Sequence, residues 1–175
     1  MTATEAYELT TKGGATDFGR VISACESFGP YCLIGGLAVN CYVEPVYTLD
    51  ADLVVLAQHL QALAQSLALW GFRVETHKHS VNLEAPQSDL RIQFTTDQRY
   101  QPFPSRAERR EVFGVPVLVA CLEDVVSGKL WAYADPQHRL SKRKEAELDL
   151  IRLAEAYPEL KSSYPEELRR QFGTN

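Results

Sequence analysis

Two aspartates stand two residues apart inside an apolar run, Leu49-Asp50-Ala51-Asp52-Leu53-Val54-Val55. Alternate residues of a strand point to one face, so Leu49, Ala51, Leu53 and Val55 form an apolar face, while Asp50 and Asp52 share the other with Val54 and Leu56. Aspartate is a poor strand residue. Two carboxylates projecting from one sheltered side repel, and one must protonate unless a cation lies between them. A divalent ion removes the conflict: Mg²⁺ takes one or two carboxylates and fills its remaining positions with water and phosphate oxygens. Two such ions about 4 Å apart can activate an attacking oxygen and steady a leaving pyrophosphate. A solvated strand end or turn is the alternative for an isolated Asp-x-Asp.

The segment upstream bears on that choice. Tyr31 to Ile34 reads as a short buried strand, Gly35-Gly36 breaks it, and Leu37 to Val43 starts a helix that Pro45 ends. Glycines let a phosphate approach the backbone, and the start of a helix favours anions. A tight turn would also explain the glycine pair. The order strand, Gly-Gly, helix, Asp-x-Asp strand, with a short gap, favours a metal-and-phosphate site over two unrelated turns.

The elements that must position these residues follow from periodicity. Helices are expected at Ala15 to Phe28, Ala57 to Trp70, Leu122 to Ala134, Ser141 to Ala156 and Tyr164 to Phe172. Strands are expected at Leu49 to Leu56, Phe72 to His77, Val81 to Leu83, Leu90 to Phe94 and Val115 to Ala120, the last at a sheet edge because it contains Pro116. Phe103 to Glu111, with its alternating arginines and glutamates, reads as a charged exposed helix, and the first dozen residues as a loose lead-in. The fold class is α+β, or mixed α/β: a core over residues 1–120 and a helical part over 121–175. Neither G-x-G-x-x-G nor a P-loop is present.

Composition narrows the functional classes. A chain of 175 residues with 45% hydrophobic and 23% charged residues suits one globular unit. The net charge of −5 argues against duplex DNA as the main partner. No apolar run reaches the ~18 residues of a membrane span, and the polar N-terminus lacks a signal peptide's apolar stretch, so a cytoplasmic location is expected. Cys25, Cys32, Cys41 and Cys121 form no C-x-x-C pair and read as buried free thiols rather than zinc ligands. His77 and His79 share a strand face but lack a third ligand. Trp131 and Tyr133 read as packing residues or a pocket wall.

Gly35-Gly36 followed by Asp50-Ala51-Asp52 resembles the signature of the polymerase-β-like nucleotidyltransferase superfamily. Leu122 to Asp135 (LEDVVSGKLWAYAD) and Arg139 to Leu153 (RLSKRKEAELDLIRL) resemble its small bacterial branch, related to AbiEii toxins of type IV toxin–antitoxin systems. The resemblance covers roughly residues 30 to 155. It implies a mixed sheet core flanked by helices, with Mg²⁺ (or Mn²⁺) held by Asp50 and Asp52. It also implies an NTP whose triphosphate meets Gly35, Gly36 and Lys129, with Lys142, Arg143 and Asp149 matching the final helix motif. Lys142 and Arg143 belong to a basic run, Arg139 to Lys144, that could also hold a polyanion such as tRNA.

Two departures stand out. Many relatives carry an arginine shortly before Asp-x-Asp, where this chain reads EPVYTLD. Where relatives read Arg-Ile-Asp, supplying a third carboxylate, this chain reads Arg91-Ile92-Gln93. Asp89 is the remaining candidate for that role, although it lies about 13 Å along the strand from Gln93. The expected activity is transfer of a nucleoside monophosphate to a hydroxyl on tRNA, a protein or a small molecule, with pyrophosphate released and a cognate toxin–antitoxin partner a further expectation. The alternative is a catalytically impaired nucleotide- or partner-binding module of the same fold, since glutamine is a poor base and a weak Mg²⁺ ligand.

Overall fold

The computed structural model describes residues 1–173, so the last two residues of the expected C-terminal part lie outside the described residues. The chain opens with α1 (Ala3–Thr10) and α2 (Gly14–Phe28), then β1 (Tyr31–Ile34) and the short α3 (Gly35–Val39). Next come β2 (Asp50–Val55), α4 (Ala57–Leu69), β3 (Arg73–Thr76), β4 (Ser80–Glu84) and β5 (Arg91–Thr95). The sheet is completed by β6 (Glu108–Val112) and β7 (Val115–Val119), after which α5 (Leu122–Ala134), α6 (Leu140–Ala156) and α7 (Glu166–Arg169) close the described chain.

The strands form one seven-stranded mixed sheet in the order β3-β4-β5-β2-β1-β7-β6. β2 is central: it runs antiparallel to β1 and parallel to β5. Ala51, Leu53 and Val55 alternate onto one face of β2 and are buried. The expected alternation is thus realised, and the aspartates emerge opposite this face. Phe18, Val21, Ile22 and Cys25 of α2, Leu63 and Leu67 of α4, and Val125, Val126, Leu150 and Leu153 of α5 and α6 join the same core cluster. Each fully buried leucine of this kind contributes about 1.5–3 kcal/mol relative to exposure. The mixed α/β class expected from the sequence is the class observed.

Four local expectations are corrected. The N-terminus is not a loose lead-in: Thr2 and Glu5 form a reciprocal capping box that starts α1. Phe103 to Glu111 is a 3-10 turn (Phe103–Arg106) followed by edge strand β6, not a helix. Its charges suit an edge, where they discourage pairing with another chain. β7 is internal, between β1 and β6; Pro116 is tolerated because β1 meets β7 at Val119, beyond the proline. His77 and His79 sit in the turn between β3 and β4, where the His77 N–H donates to the Ser80 carbonyl at 2.8 Å.

Arg106 fixes this region to the C-terminal helices. Its guanidinium donates to both Asp124 oxygens, at 3.0 and 2.8 Å. Asp124 lies in the first turn of α5, where a carboxylate is also favoured by the helix dipole. Tyr100, Phe103 and Trp131 pack together beside it, with Arg99 4.6 Å above the Trp131 ring, so Trp131 is a packing residue.

Candidate active site

β1 ends beside the aspartates because Ile34 is in register with Asp52. The next residue, Gly35, has φ +71°, a backbone region that favours glycine. A Cβ built there would lie 2.1 Å from Asp52 Oδ2. Gly35 is therefore required by both conformation and contact. At Gly36 an added Cβ would meet nothing closer than the Thr48 side chain at 3.9 Å, so packing within the chain does not demand glycine there.

Asp52 is half-buried and its carboxyl is pushed up to about 6. Burial is the main cause; the Lys129 charge opposes it, and the Asp50 carboxylate adds to it. Asp50 is held by two cations: Arg91 Nε donates to Oδ1 at 2.8 Å, and Lys142 Nζ lies 3.6 Å from Oδ2. Lys142 also donates to Glu145 at 2.8 Å, and Glu145 is the main reason its ammonium is held charged above the usual lysine range. The Asp50 N–H donates to Thr48 Oγ1 at 3.2 Å, tying the strand entry to the preceding loop.

On the other side of β2, Gln93 of β5 is in register with Asp52, and Arg91 with Asp50. Registered partners share a face about 5 Å apart, so the exposed Gln93 is the β5 residue beside Asp52, and Asp89 is not. It precedes β5, its N–H donates to the Thr11 carbonyl at 2.8 Å, and its carboxylate pairs with Lys12 Nζ at 3.2 Å. The contacts shown for Asp89 run to the α1–α2 connection, and none runs to Asp50 or Asp52. Among the described residues, no cluster of three or more histidines, cysteines, aspartates or glutamates could hold a metal ion. The two carboxylates on β2 are Asp50 and Asp52.

Lys129 projects from α5, with its ammonium 2.8 Å from Asp149 Oδ2 on α6. Asp149 Oδ1 accepts from Arg152 Nη1 at 2.7 Å. Arg143 lies half-buried on α6, its Nε without a partner among the described residues. The structure thus brings Gly35, Asp50, Asp52, Lys129 and Lys142 to one place and shows no contact between Arg143 and the aspartates. Sequence reasoning gave no role to Arg152, or to Arg91 as the partner of Asp50. The signals were present: Arg91 alternates with Gln93, and Arg152 follows Asp149 by three residues, one helical turn. A recess of about 610 Å³ lies elsewhere, lined by Met1, Leu9, Ala15 and Phe113 among others, and includes none of these site residues.

No protein-family model and no curated protein matches the sequence. Solved structures do match. The antibiotic-resistance factor ANT(2'')-Ia in solution is 18% identical, with 90% of each chain covered and a TM-score of 0.57. The crystal structure of ANT(2'')-Ia in complex with adenylyl-2''-tobramycin is 17% identical, covering 86% of this chain and 98% of that one, at a TM-score of 0.52. An antigenic nucleotidyltransferase-like protein from Paracoccidioides brasiliensis is 19% identical, covering 91% and 85%, at 0.56. At these identities the likeness establishes the fold, which is nucleotidyltransferase-like.

Proposed function

We propose that the protein binds a nucleoside triphosphate with Mg²⁺ (or Mn²⁺) and transfers the nucleoside monophosphate to an acceptor hydroxyl, releasing pyrophosphate. The observation that carries this is the pairing of Asp50 and Asp52 on one face of β2, with Gly35 against Asp52 and the Lys129 charge acting on it. The donor set fits a hard divalent cation: two carboxylates side by side, one raised by burial and by its neighbour. Asp50 and Asp52 would hold the ion, which supplies charge neutralisation at the phosphates.

The chain's own residues divide the remaining work. The open backbone at Gly36 leaves room for a phosphate, and Lys129 and Lys142 offset triphosphate charge. The acceptor oxygen forms a bond to the α-phosphorus while the bond to the bridging oxygen of the β-phosphate breaks. Gln93 is a poor base for the acceptor's proton, which passes to a site carboxylate or to solvent.

Gln93 supports a second reading, a module that binds nucleotide or a partner without transfer. Resemblance over Leu122 to Asp135 and Arg139 to Leu153 supports the AbiEii-type branch, and with it a toxin–antitoxin partner. For the acceptor, a small molecule is the first class to test, because a structural neighbour was solved with an adenylylated antibiotic; tRNA and protein hydroxyls follow. Four free cysteines fit a cytoplasmic setting.

The test is pyrophosphate release from each NTP with Mg²⁺, in the presence of small polyhydroxyl compounds, tRNA or protein. Metal-dependent NTP binding with acceptor-stimulated release supports transfer. Binding without release from any acceptor favours the second reading, and no nucleotide binding excludes transfer and leaves only the partner-binding form of the second reading.

A further inference from the structure

Lys129, Asp149 and Arg152 form a sheltered charge triad between α5 and α6, with side-chain exposures of 15%, 12% and 14%. Each Asp149 oxygen holds one cation: Oδ2 takes Lys129 at 2.8 Å and Oδ1 takes Arg152 at 2.7 Å. Alone, Asp149 would cancel the Lys129 charge. With Arg152 present the triad carries a net charge of about +1 in a region where solvent screens little.

Arg152 reaches further. Its Nη2 donates to Asn40 Oδ1 at 3.3 Å and to the Glu44 carbonyl. The Asn40 amide donates to the Val46 carbonyl at 2.7 Å, and its oxygen accepts from the Val46 N–H at 3.1 Å. One guanidinium thus ties the partner of Lys129 to the loop that runs from α3 into Asp50. A planar fork with several donors can make these contacts together; a lysine cannot.

We infer that Arg152 is a positioning residue for the triphosphate: it keeps Asp149 from neutralising Lys129 and so leaves the lysine's charge available to phosphate. This rests on Lys129 as a phosphate-facing residue of the proposed site, and Arg152 acts through it without touching the ligand.

The test separates charge from scaffolding. Binding of Mg²⁺–tripolyphosphate and of each Mg²⁺–NTP is measured by calorimetry for the wild type, Arg152→Gln, Arg152→Lys and the double variant Asp149→Asn/Arg152→Gln. Arg152→Gln leaves the triad neutral and is expected to weaken binding about tenfold, the effect of one poorly screened charge. The double variant returns the net charge to about +1, and Arg152→Lys never loses it; both are expected within about threefold of wild type. Equal binding by wild type and Arg152→Gln overturns the inference. So does failure of the double variant to recover, which would make Arg152 a tether only. If Arg152→Gln does not fold, Arg152→Lys and the double variant decide: both near wild type supports the inference, either much weaker overturns it. A wild type that binds tripolyphosphate but no nucleotide removes the proposed function and leaves this inference standing; binding neither removes both.

Discussion

Gly35 and Asp52 touch so closely that no side chain fits between them: a Cβ on Gly35 would stand 2.1 Å from Asp52 Oδ2 and 2.9 Å from its Cγ. The contact is a consequence of register, since β1 hands over to α3 opposite the second aspartate. Gly35→Ala must displace the carboxylate and adopt a left-handed backbone, and is expected to lose about 2 kcal/mol of stability together with nucleotide binding. Gly36→Ala, with 3.9 Å of clearance, is expected to keep wild-type stability and weaken only phosphate binding. Chemical denaturation beside nucleotide titration checks both. Equal stability of the two variants would contradict the difference between the glycines.

Asp52 makes the metal-free protein pH-sensitive. Its folded pKa, about 6, lies above the unfolded value of about 3.9. Between these values the native state binds more protons than the unfolded state, so this group's contribution falls as pH rises from about 4 to about 6 and is flat above. Asp52→Asn is expected to remove that slope and to raise metal-free stability at pH 7. Mg²⁺ affinity is expected to weaken as pH drops below about 6, because protons compete for the same carboxylate. Melting curves of both proteins across pH 4 to 8 test this, and a variant less stable than wild type at pH 7 would oppose it.

Arg91 holds Asp50 at 2.8 Å, and its side chain is 62% exposed. An exposed pair of this kind is worth at most about 1 kcal/mol. Arg91→Ala is therefore expected to tighten Mg²⁺ binding by no more than about fivefold. Weaker metal–nucleotide binding in this variant would show that Arg91 contacts the ligand instead.

Gln93 faces Asp52 across β2 and β5 where a carboxylate could serve as base or ligand. Gln93→Asp is expected to raise pyrophosphate release by about 100-fold, the low end of what a positioned base contributes. Single-turnover assays at saturating NTP measure it. An unchanged rate with intact binding would mean that proton transfer does not limit the reaction.

Much of this was legible because the signals were local. The Asp50 and Asp52 strand, the Gly35 break, and the helices from Leu122 and near Ser141 follow from alternation, glycine and helical spacing, and the structure places them close to those bounds. Glu108, Arg109, Arg110 and Glu111 suit a solvated helix as well as an edge strand, and only pairing with β7 decides for β6. The Thr2-to-Glu5 spacing is itself a capping-box signal in the sequence. Asp89 and Gln93 differ by register across β2 and β5, and the link from Arg152 to Asn40 joins residues far apart in the chain. Neither is encoded in local spacing.

The central claim is a metal–nucleotide site at the two aspartates, and thermal unfolding with each NTP, with and without Mg²⁺ or Mn²⁺, tests it most directly. At 100 times its dissociation constant a ligand stabilises by about 2.7 kcal/mol, raising the melting temperature by roughly 5–10 °C for a chain of this size. The predicted result is a metal-dependent rise in the wild type that is absent from Asp50→Asn and Asp52→Asn. No rise with any nucleotide, or an equal rise in both variants, would contradict it.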